Sequence, residues 1–327
     1  MNGVVNFICV VDSKNTRRFM TPPIINTFSY HYREKYGHGV GKIPVDMGQP
    51  CPNRLHGGCI FCRPASFTPS CLRNADDLLR QVTAGKNHLL KGRFKKYFAY
   101  FQQETCTSLP VEELLPMFRQ LVADTDCVGL ILSTRPDYID EQLLIPLAEL
   151  IHQTGKECLF ELGLQTMHEL SLEFLNRNHT FADFQDAVRL IQRHSCFELG
   201  AHLIFGIPGE SDEDMLCSVR TVCDLGVNAL KLHHLQVIRE TPLEVLYEQG
   251  KATVFSLEAY LLLLMKILPI IPAEVTIHRL WATSHPDLLV APQWNVLAST
   301  LSEKLRQKMK EKDLSQGSSA ALFTGEG

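Results

Sequence analysis

Three cysteines in the segment Cys51-Pro-Asn-Arg-Leu-His-Gly-Gly-Cys59-Ile-Phe-Cys62 are the part of this sequence best suited to chemistry. Two thiolates with two residues between them can wrap a metal centre from a tight turn. The pair Gly57-Gly58 frees the backbone so that Cys51 can swing round as a third ligand. Pro52 and Pro64 make the segment a loop. Three chemistries share this spacing. A structural zinc site closes with four ligands, and His56 and Cys71 are the near candidates for the fourth. A thioredoxin-like redox pair needs only Cys59 and Cys62, but such a pair opens a helix, which Pro64 and the glycines disfavour. An iron–sulfur cluster on three cysteines leaves one iron open to a reactive ligand. Local spacing leaves all three open.

The other eight cysteines stand singly, several among apolar neighbours, and read as small buried hydrophobes in a reducing compartment. The total of 11 is odd, so complete internal pairing is excluded. The chain has 327 residues, 45% hydrophobic and 21% charged, which excludes wholesale disorder and allows two domains or one barrel. A net charge of −4 does not by itself advertise a polyanion partner. No apolar run approaches the ~20 residues of a membrane span, and the start of the chain lacks a basic leader and a cleavage site. These features lead us to expect a soluble cytoplasmic protein with no membrane partner.

Apolar runs recur along the chain with amphipathic stretches between them. Candidate strands are Lys42 to Met47, Lys96 to Phe101, Val128 to Ser133, Cys158 to Leu164, Leu199 to Phe205 and Ala229 to His234. After the first they are spaced about as far apart as a strand plus a crossover helix requires. Helix starts are legible at Asn74, with Asp76 and Asp77 in the first turn, at Pro110, and at Ser211, where Asp214 completes a capping box and Gly226 ends the helix. Six βα units predict an α/β fold with parallel strands, most economically an open (β/α)6 TIM-like partial barrel.

In such folds chemistry gathers at the carboxyl ends of the strands. Gln102-Gln-Glu-Thr105, Ser133-Thr-Arg-Pro-Asp137, Glu161, Gln165, Gly206-Ile-Pro-Gly209 and His233-His234 all fall there. Alternation puts Glu161, Gly163 and Gln165 on one face. A carboxylate inside a barrel is costly unless it is paired or faces a ligand, so Glu161 is read as ligand-facing or as half of a buried ion pair. His233 and His234 point to opposite faces, so only one of them should see the cavity.

Further motifs bear a resemblance. Cys51-Pro-Asn-Arg, Gly57-Gly-Cys-Ile-Phe-Cys62, Thr134-Arg-Pro-Asp137, Glu161-Leu-Gly-Leu-Gln165, Leu175-Asn-Arg-Asn-His-Thr180, His202-Leu-Ile-Phe-Gly-Ile-Pro-Gly-Glu210, Lys231-Leu-His-His-Leu-Gln236 and Ile277-His-Arg-Leu280 together resemble the YhcC-like family of the radical S-adenosylmethionine (SAM) superfamily. The resemblance runs from about Ile25 to Leu301. It implies a partial barrel of the radical SAM type and a [4Fe–4S] cluster on Cys51, Cys59 and Cys62. It also implies SAM on the open iron, cleaved by one electron to a 5′-deoxyadenosyl radical. By position it implies cofactor contacts from Gln103, Glu104, Ser133, Arg135, Glu161, Gln165, Arg177, His202, Gly206 and Pro208, the turn Gly206–Gly209 lying against the adenine. Two departures stand out. The loop between Cys51 and Cys59 is shorter than in YhcC-like proteins, and Asn178 occupies the place of a glycine, although asparagine accepts left-handed backbone better than most residues.

The YhcC-like family is similar to the radical domain of Elongator's catalytic subunit. That implies, by analogy, a tRNA substrate modified at the wobble uridine, together with an electron donor such as flavodoxin or ferredoxin. The same chemistry on a small metabolite or a protein is the alternative, and a non-catalytic iron–sulfur or zinc protein that binds a partner is a third. A basic run, Lys86, Lys91, Arg93, Lys95 and Lys96 around Phe94 and Tyr97, has the composition of a phosphate-and-stacking surface, or of a solvated helix face or a strand entry. Leu297, Leu301, Leu305 and Met309 form a helical stripe among lysines. The organisation expected is an N-terminal extension (1–40), the barrel (41–245), a barrel-capping segment (246–300) containing Trp281, Ser284-His-Pro-Asp287 and Trp294, and a basic helix with a flexible tail from Ser315 (301–327).

Overall fold

The computed structural model describes residues 22–68 and 77–319. Helix α1 (Phe28–Tyr36) and strand β1 (Val40–Pro44) are followed by the cysteine loop, and α2 (Leu78–Gly85) then leads to β2 (Lys96–Phe101). Alternation continues through α3 (Val111–Val122), β3 (Cys127–Thr134), α4 (Glu141–Thr154) and β4 (Glu157–Gln165). Two helices, α5 (Glu169–Phe174) and α6 (Phe181–Gln192), precede β5 (Phe197–Phe205), and α7 (Asp212–Asp224) precedes β6 (Ala229–His234). The remainder comprises β7 (Val237–Ile238), α8 (Pro242–Glu248), α9 (Leu257–Ile267), β8 (Thr276–Arg279), β9 (Leu289–Ala291) and α10 (Ala298–Glu311).

The main sheet has seven strands in the order β1-β2-β3-β4-β5-β6-β8, every neighbouring pair parallel. The sequence reading had six. The seventh, Thr276–Arg279, is four residues long and ends on two basic residues, too short and too charged to register as an apolar run. It lies inside the stretch read as barrel-capping. Both faces of the central strands are covered, which is why all eight residues of β3 are buried. Helix starts follow the capping rules. Ser211 and Asp214 form the expected box at α7, and Gly226 follows its end in left-handed backbone. At α2 the cap is Asp77; Asn74 and Asp76 lie outside the described residues.

The sheet curls into a half-barrel whose interior is layered. At the amino ends of the strands, Val40, Phe98, Val128, Ile131, Leu159 and Ala229 pack around Phe28 and Tyr32 of α1. Phe28 and Tyr32 lie 4.5 Å apart between ring centroids, and Phe28 meets the His278 ring at 5.1 Å. Helix α1 thus touches both β1 and β8 and stops the barrel at that end. Above this plug the interior turns polar, and above that it opens among the loops at the carboxyl ends.

Two surface expectations change, and the basic run resolves at Lys96 to the plainer of its readings, a strand entry. Lys86 pairs with Asp124 at 2.7 Å and Lys96 with Asp126 at 3.3 Å, while the Tyr97 hydroxyl donates to Asp124. Lys96 begins its strand, so this end of the basic run sits at the amino ends, away from the cysteine loop, and is neutralised by neighbouring acids. On α10, Leu301, Leu305 and Met309 are buried as the stripe predicts, but Leu297 is the exposed cap residue. The tail is not free from Ser315 onward. Gln316 is buried, its amide donating to Val275 O at 2.7 Å and Pro272 O at 2.8 Å while its carbonyl accepts from Asn26 N at 2.9 Å. Residues beyond 319 lie outside the described set.

Candidate active site

Cys51, Cys59 and Cys62 line one cavity at the carboxyl ends of the strands. The loop that carries them is built from tight turns. Pro52–His56 form a short 3-10 turn, and Gly57 and Gly58 follow with φ of +89° and +73°, values that glycine adopts without a Cβ penalty. A second segment clamps it. Asn176 donates to His56 O and Gly58 O, Asn53 donates to Asn176 O, and Asn178 donates to Asn53 Oδ1 at 2.7 Å. Asn178 does stand in left-handed backbone, at φ +50°, as the substitution for glycine requires.

Donors converge on the sulfurs. Arg177 Nη1 lies 3.1 Å from Cys59 Sγ, Asn53 Nδ2 lies 3.3 Å from the same atom, and the Thr105 hydroxyl lies 3.1 Å from Cys51 Sγ. Burial first, then the charges of Cys59 and Glu104, push the Cys62 thiol up to about 12. A thiol held up in this way must release its proton on ligation. Among the described residues no three His, Cys, Asp or Glu side chains converge on a single ion. The three thiols ring a cavity instead, with donors already aimed at two of them, which suits a multinuclear cluster better than one zinc.

The expected cofactor residues fall into two groups. Glu104, Arg135, Gln165, Arg177 and His202 line the cavity. Gln165 is buried there at φ +73°, and its Oε1 has no partner, so it is free to meet a ligand. Gly163 lies beneath the Gln165 amide and the Arg177 guanidinium, where a Cβ would come within 3.2 Å of both. Arg135 is committed to structure. It donates to both Asp137 oxygens, to Arg177 O and to Asn178 O, four of the five N–H groups of a guanidinium. Glu104 is likewise engaged, accepting from Cys51 N and Arg54, both at 2.8 Å. It holds the start of the cysteine loop.

Gln103, Ser133, Glu161, Gly206 and Pro208 do not line the cavity. Gln103 turns aside to donate to Thr68 Oγ1 at 2.6 Å. Gly206 packs under the Phe255 ring, where a Cβ would approach within 2.8 Å. Ser133 and Glu161 lie below the floor. Glu161 Oε1 accepts from Tyr100 and Ser133, both at 2.9 Å, and from Lys231 at 2.7 Å. Of the two readings of Glu161, the buried ion pair is the observed one. Burial works to raise its carboxyl, but Lys231 first, then Lys42 and His278, hold it well below the usual range.

His233 and His234 both border the cavity, contrary to the alternation argument. The strand ends at His234 and the chain turns there. The His234 ring lies 4.1 Å from the Trp294 ring. Of the segment Ser284-His-Pro-Asp287, Ser284 borders the mouth in an arch with Ala282 and Thr283, its hydroxyl donating to Gln236, and His285 N donates to Ser66 O. The sequence reading assigned no role to Lys42, Lys231, His278 or Arg279. A lysine inside an apolar strand was the available signal for the first two; the other two came with the missed strand.

Lys42 offers a separate test of this interior. Its ammonium lies 4.1 Å from the Phe28 centroid and 3.2 Å from His278 Nδ1. Burial pulls it down to about 7, against the pull of Glu161. A lysine depressed on folding destabilises fully below its folded value, and the penalty fades as pH rises toward the ordinary lysine range. Lys42→Met is therefore expected to be more stable than the parent near neutrality. The gap should narrow by on the order of 1 kcal/mol per pH unit above 7 in urea titrations; a gap constant with pH would contradict this burial.

Residues 48–222 match the family described as the Radical SAM superfamily, and residues 227–311 match the Radical SAM C-terminal domain. The chain belongs to the radical SAM superfamily. Within it the chain is similar to YtqA of Bacillus subtilis, at 35% identity over 89% of this chain and 91% of that protein. It is also similar to YhcC of Escherichia coli K12, at 34% over 83% and 87%. A shorter match, 31% identical over 39% of this chain and 23% of the other, is to the tRNA uridine(34) acetyltransferase of Methanocaldococcus jannaschii. In fold, the half-barrel superposes on the structure of Methanocaldococcus infernus Elp3 with a TM-score of 0.64 at 19% identity, over 85% of this chain and 64% of that one.

The cofactors of a radical SAM protein are a [4Fe–4S] cluster and SAM, and the residues here fit them. Three thiols face one cavity, donors point at the sulfurs, and an unpartnered buried amide oxygen waits on the wall. Bound together, the pair supplies a one-electron cleavage of the sulfonium. The protein's own part is positional. Arg177 holds Cys59, its Nε donates to His179 Nε2, and its Nη2 donates to Gly163 O at 2.8 Å. Burial first, then Arg177 and Arg135, lower His179 to about 3, so it stays neutral and accepts. The arch over the mouth and the α1 plug restrict water at the reacting centre.

Proposed function

We propose that Cys51, Cys59 and Cys62 ligate the cluster and that this radical SAM enzyme acts on tRNA, at the side chain of the wobble uridine. The observation that carries the substrate is the match to a protein named tRNA uridine(34) acetyltransferase, which spans 132 residues of this chain. The engagement of Gln165 and Arg177 with the bound cofactor belongs to the same reading, as does an electron donor of flavodoxin or ferredoxin type. One observation favours a small substrate instead: Lys86 and Lys96 of the basic run are neutralised at the far end of the barrel from the cavity. Phosphate contacts to RNA must then come from the rim of the mouth.

The two are separated by supplying bulk tRNA to the anaerobically reconstituted protein with dithionite and SAM. On the tRNA reading, 5′-deoxyadenosine forms faster with tRNA than without it, and a wobble uridine changes mass in the nucleoside digest. Binding should weaken steeply with salt. If 5′-deoxyadenosine forms but tRNA alters neither its rate nor its own nucleosides, the radical enzyme stands and the tRNA reading falls.

A further inference from the structure

We propose that Arg279 and Lys231, with the His202–His233 pair beside them, form a site for an oxyanion carried by the substrate, either a carboxylate or a phosphate. The inference deepens the proposed function and rests on its premise that the reacting group enters this cavity. Both cations line the cavity from adjacent strands, and they are partners in the register of β6 and β8. Lys231 has Glu161 as counter-charge at 2.7 Å, but that carboxylate lies below the floor and already serves Tyr100 and Ser133. Among the described residues, no carboxylate lies within ion-pair reach of Arg279. On this side of the cavity Lys231 and Arg279 thus stand as two cations over the single buried carboxylate of Glu161, and a guanidinium without a counter-charge is costly in a confined cavity unless an anion arrives with a ligand.

A second, independent observation points the same way. His202 Nε2 and His233 Nδ1 are 3.0 Å apart and share one proton, while His233 Nε2 is buried with no partner. With His202 as donor to Nδ1, His233 keeps its proton on Nε2 and presents it as a further donor. A planar guanidinium, an ammonium and an imidazole N–H together match the lone pairs of a carboxylate or phosphate. The cysteines and the pair Arg177 and Gln165 come from other elements, the loop after β1 and the end of β4 with the turn beyond α5. This leaves the β5–β6–β8 side for the substrate.

The test uses the cluster-loaded protein with SAM and no reductant, and reads melting temperature against increasing acetate or inorganic phosphate at constant ionic strength. At least one probe should raise the melting temperature of the parent, and the more effective one identifies the anion. Arg279→Lys should keep most of the shift. Arg279→Gln should weaken apparent affinity about thirtyfold, as loss of one member of a buried charge-assisted pair does. Arg279 makes no ion pair among the described residues, so its variants should melt no lower than the parent when no anion is present. No shift in the parent with either probe, or an Arg279→Gln shift equal to the parent's, overturns the site. Neither result depends on tRNA, so failure of the tRNA reading leaves this outcome separately visible.

Discussion

Cys59→Ala protein should hold no stable iron–sulfur cluster after anaerobic reconstitution, and should yield no 5′-deoxyadenosine from SAM and dithionite. Cys59 is the most heavily supported of the three sulfurs, facing both the Arg177 guanidinium and the Asn53 amide. On the proposed ligand set, removing it deletes one of three ligands and leaves those donors aimed at a methyl group. Two thiolates do not retain a cluster that three hold with one iron already open. Iron and sulfide should fall from about four of each per chain to near zero. Cys106→Ala serves as the comparison, since Cys106 is a buried thiol outside the cavity wall and its loss should leave the iron content intact. A Cys59→Ala protein that keeps its visible absorbance and cleaves SAM would remove the ligand assignment.

Glu161→Ala should destabilise the chain by about 3–5 kcal/mol, the cost of leaving a buried ammonium without its partner. Glu161 is 3% exposed and Lys231 5% exposed, and one carboxylate oxygen gathers three donors from three other strands. The structural claim concerns coupling, so the informative measurement is a double-mutant cycle with Lys231→Met. The double variant should recover a good part of the loss, because neither uncompensated charge is left behind. Additive losses in urea unfolding would mean that the two groups do not act as a pair.

Much of this architecture was legible because its signals were local. Lys96–Phe101 and Ala229–His234 were bounded correctly, the first because a buried parallel strand reads as a near-continuous apolar run, the second from Ala229, Leu230 and Leu232 despite the lysine between them. The Ser211–Asp214 box set the start of α7. The cysteine loop was legible from spacing, and the turn at Asn178 from residue chemistry. What stayed hidden depends on contacts between distant segments. Nothing near Glu104 in the sequence says that Cys51 N and Arg54 will take both of its oxygens. Nothing near Gln316 says that it will be buried against Asn26, Pro272 and Val275. Thr276–Arg279 is a strand because β6 offers it an edge, and four residues carry no period of their own.

The helix that opens the described chain has a consequence for the order of events in turnover. Phe28 and Tyr32 stopper the barrel against Phe98 and His278, and Lys42 meets His278 across the seam between the first and last strands. With the back wall shut, the chamber is a blind alley. Whatever enters over the cysteine loop must leave the same way, and the arch from Ala282 to Ser284 overhangs that doorway. Molecules must therefore queue. On the proposed function, SAM, substrate and both products would share this one doorway.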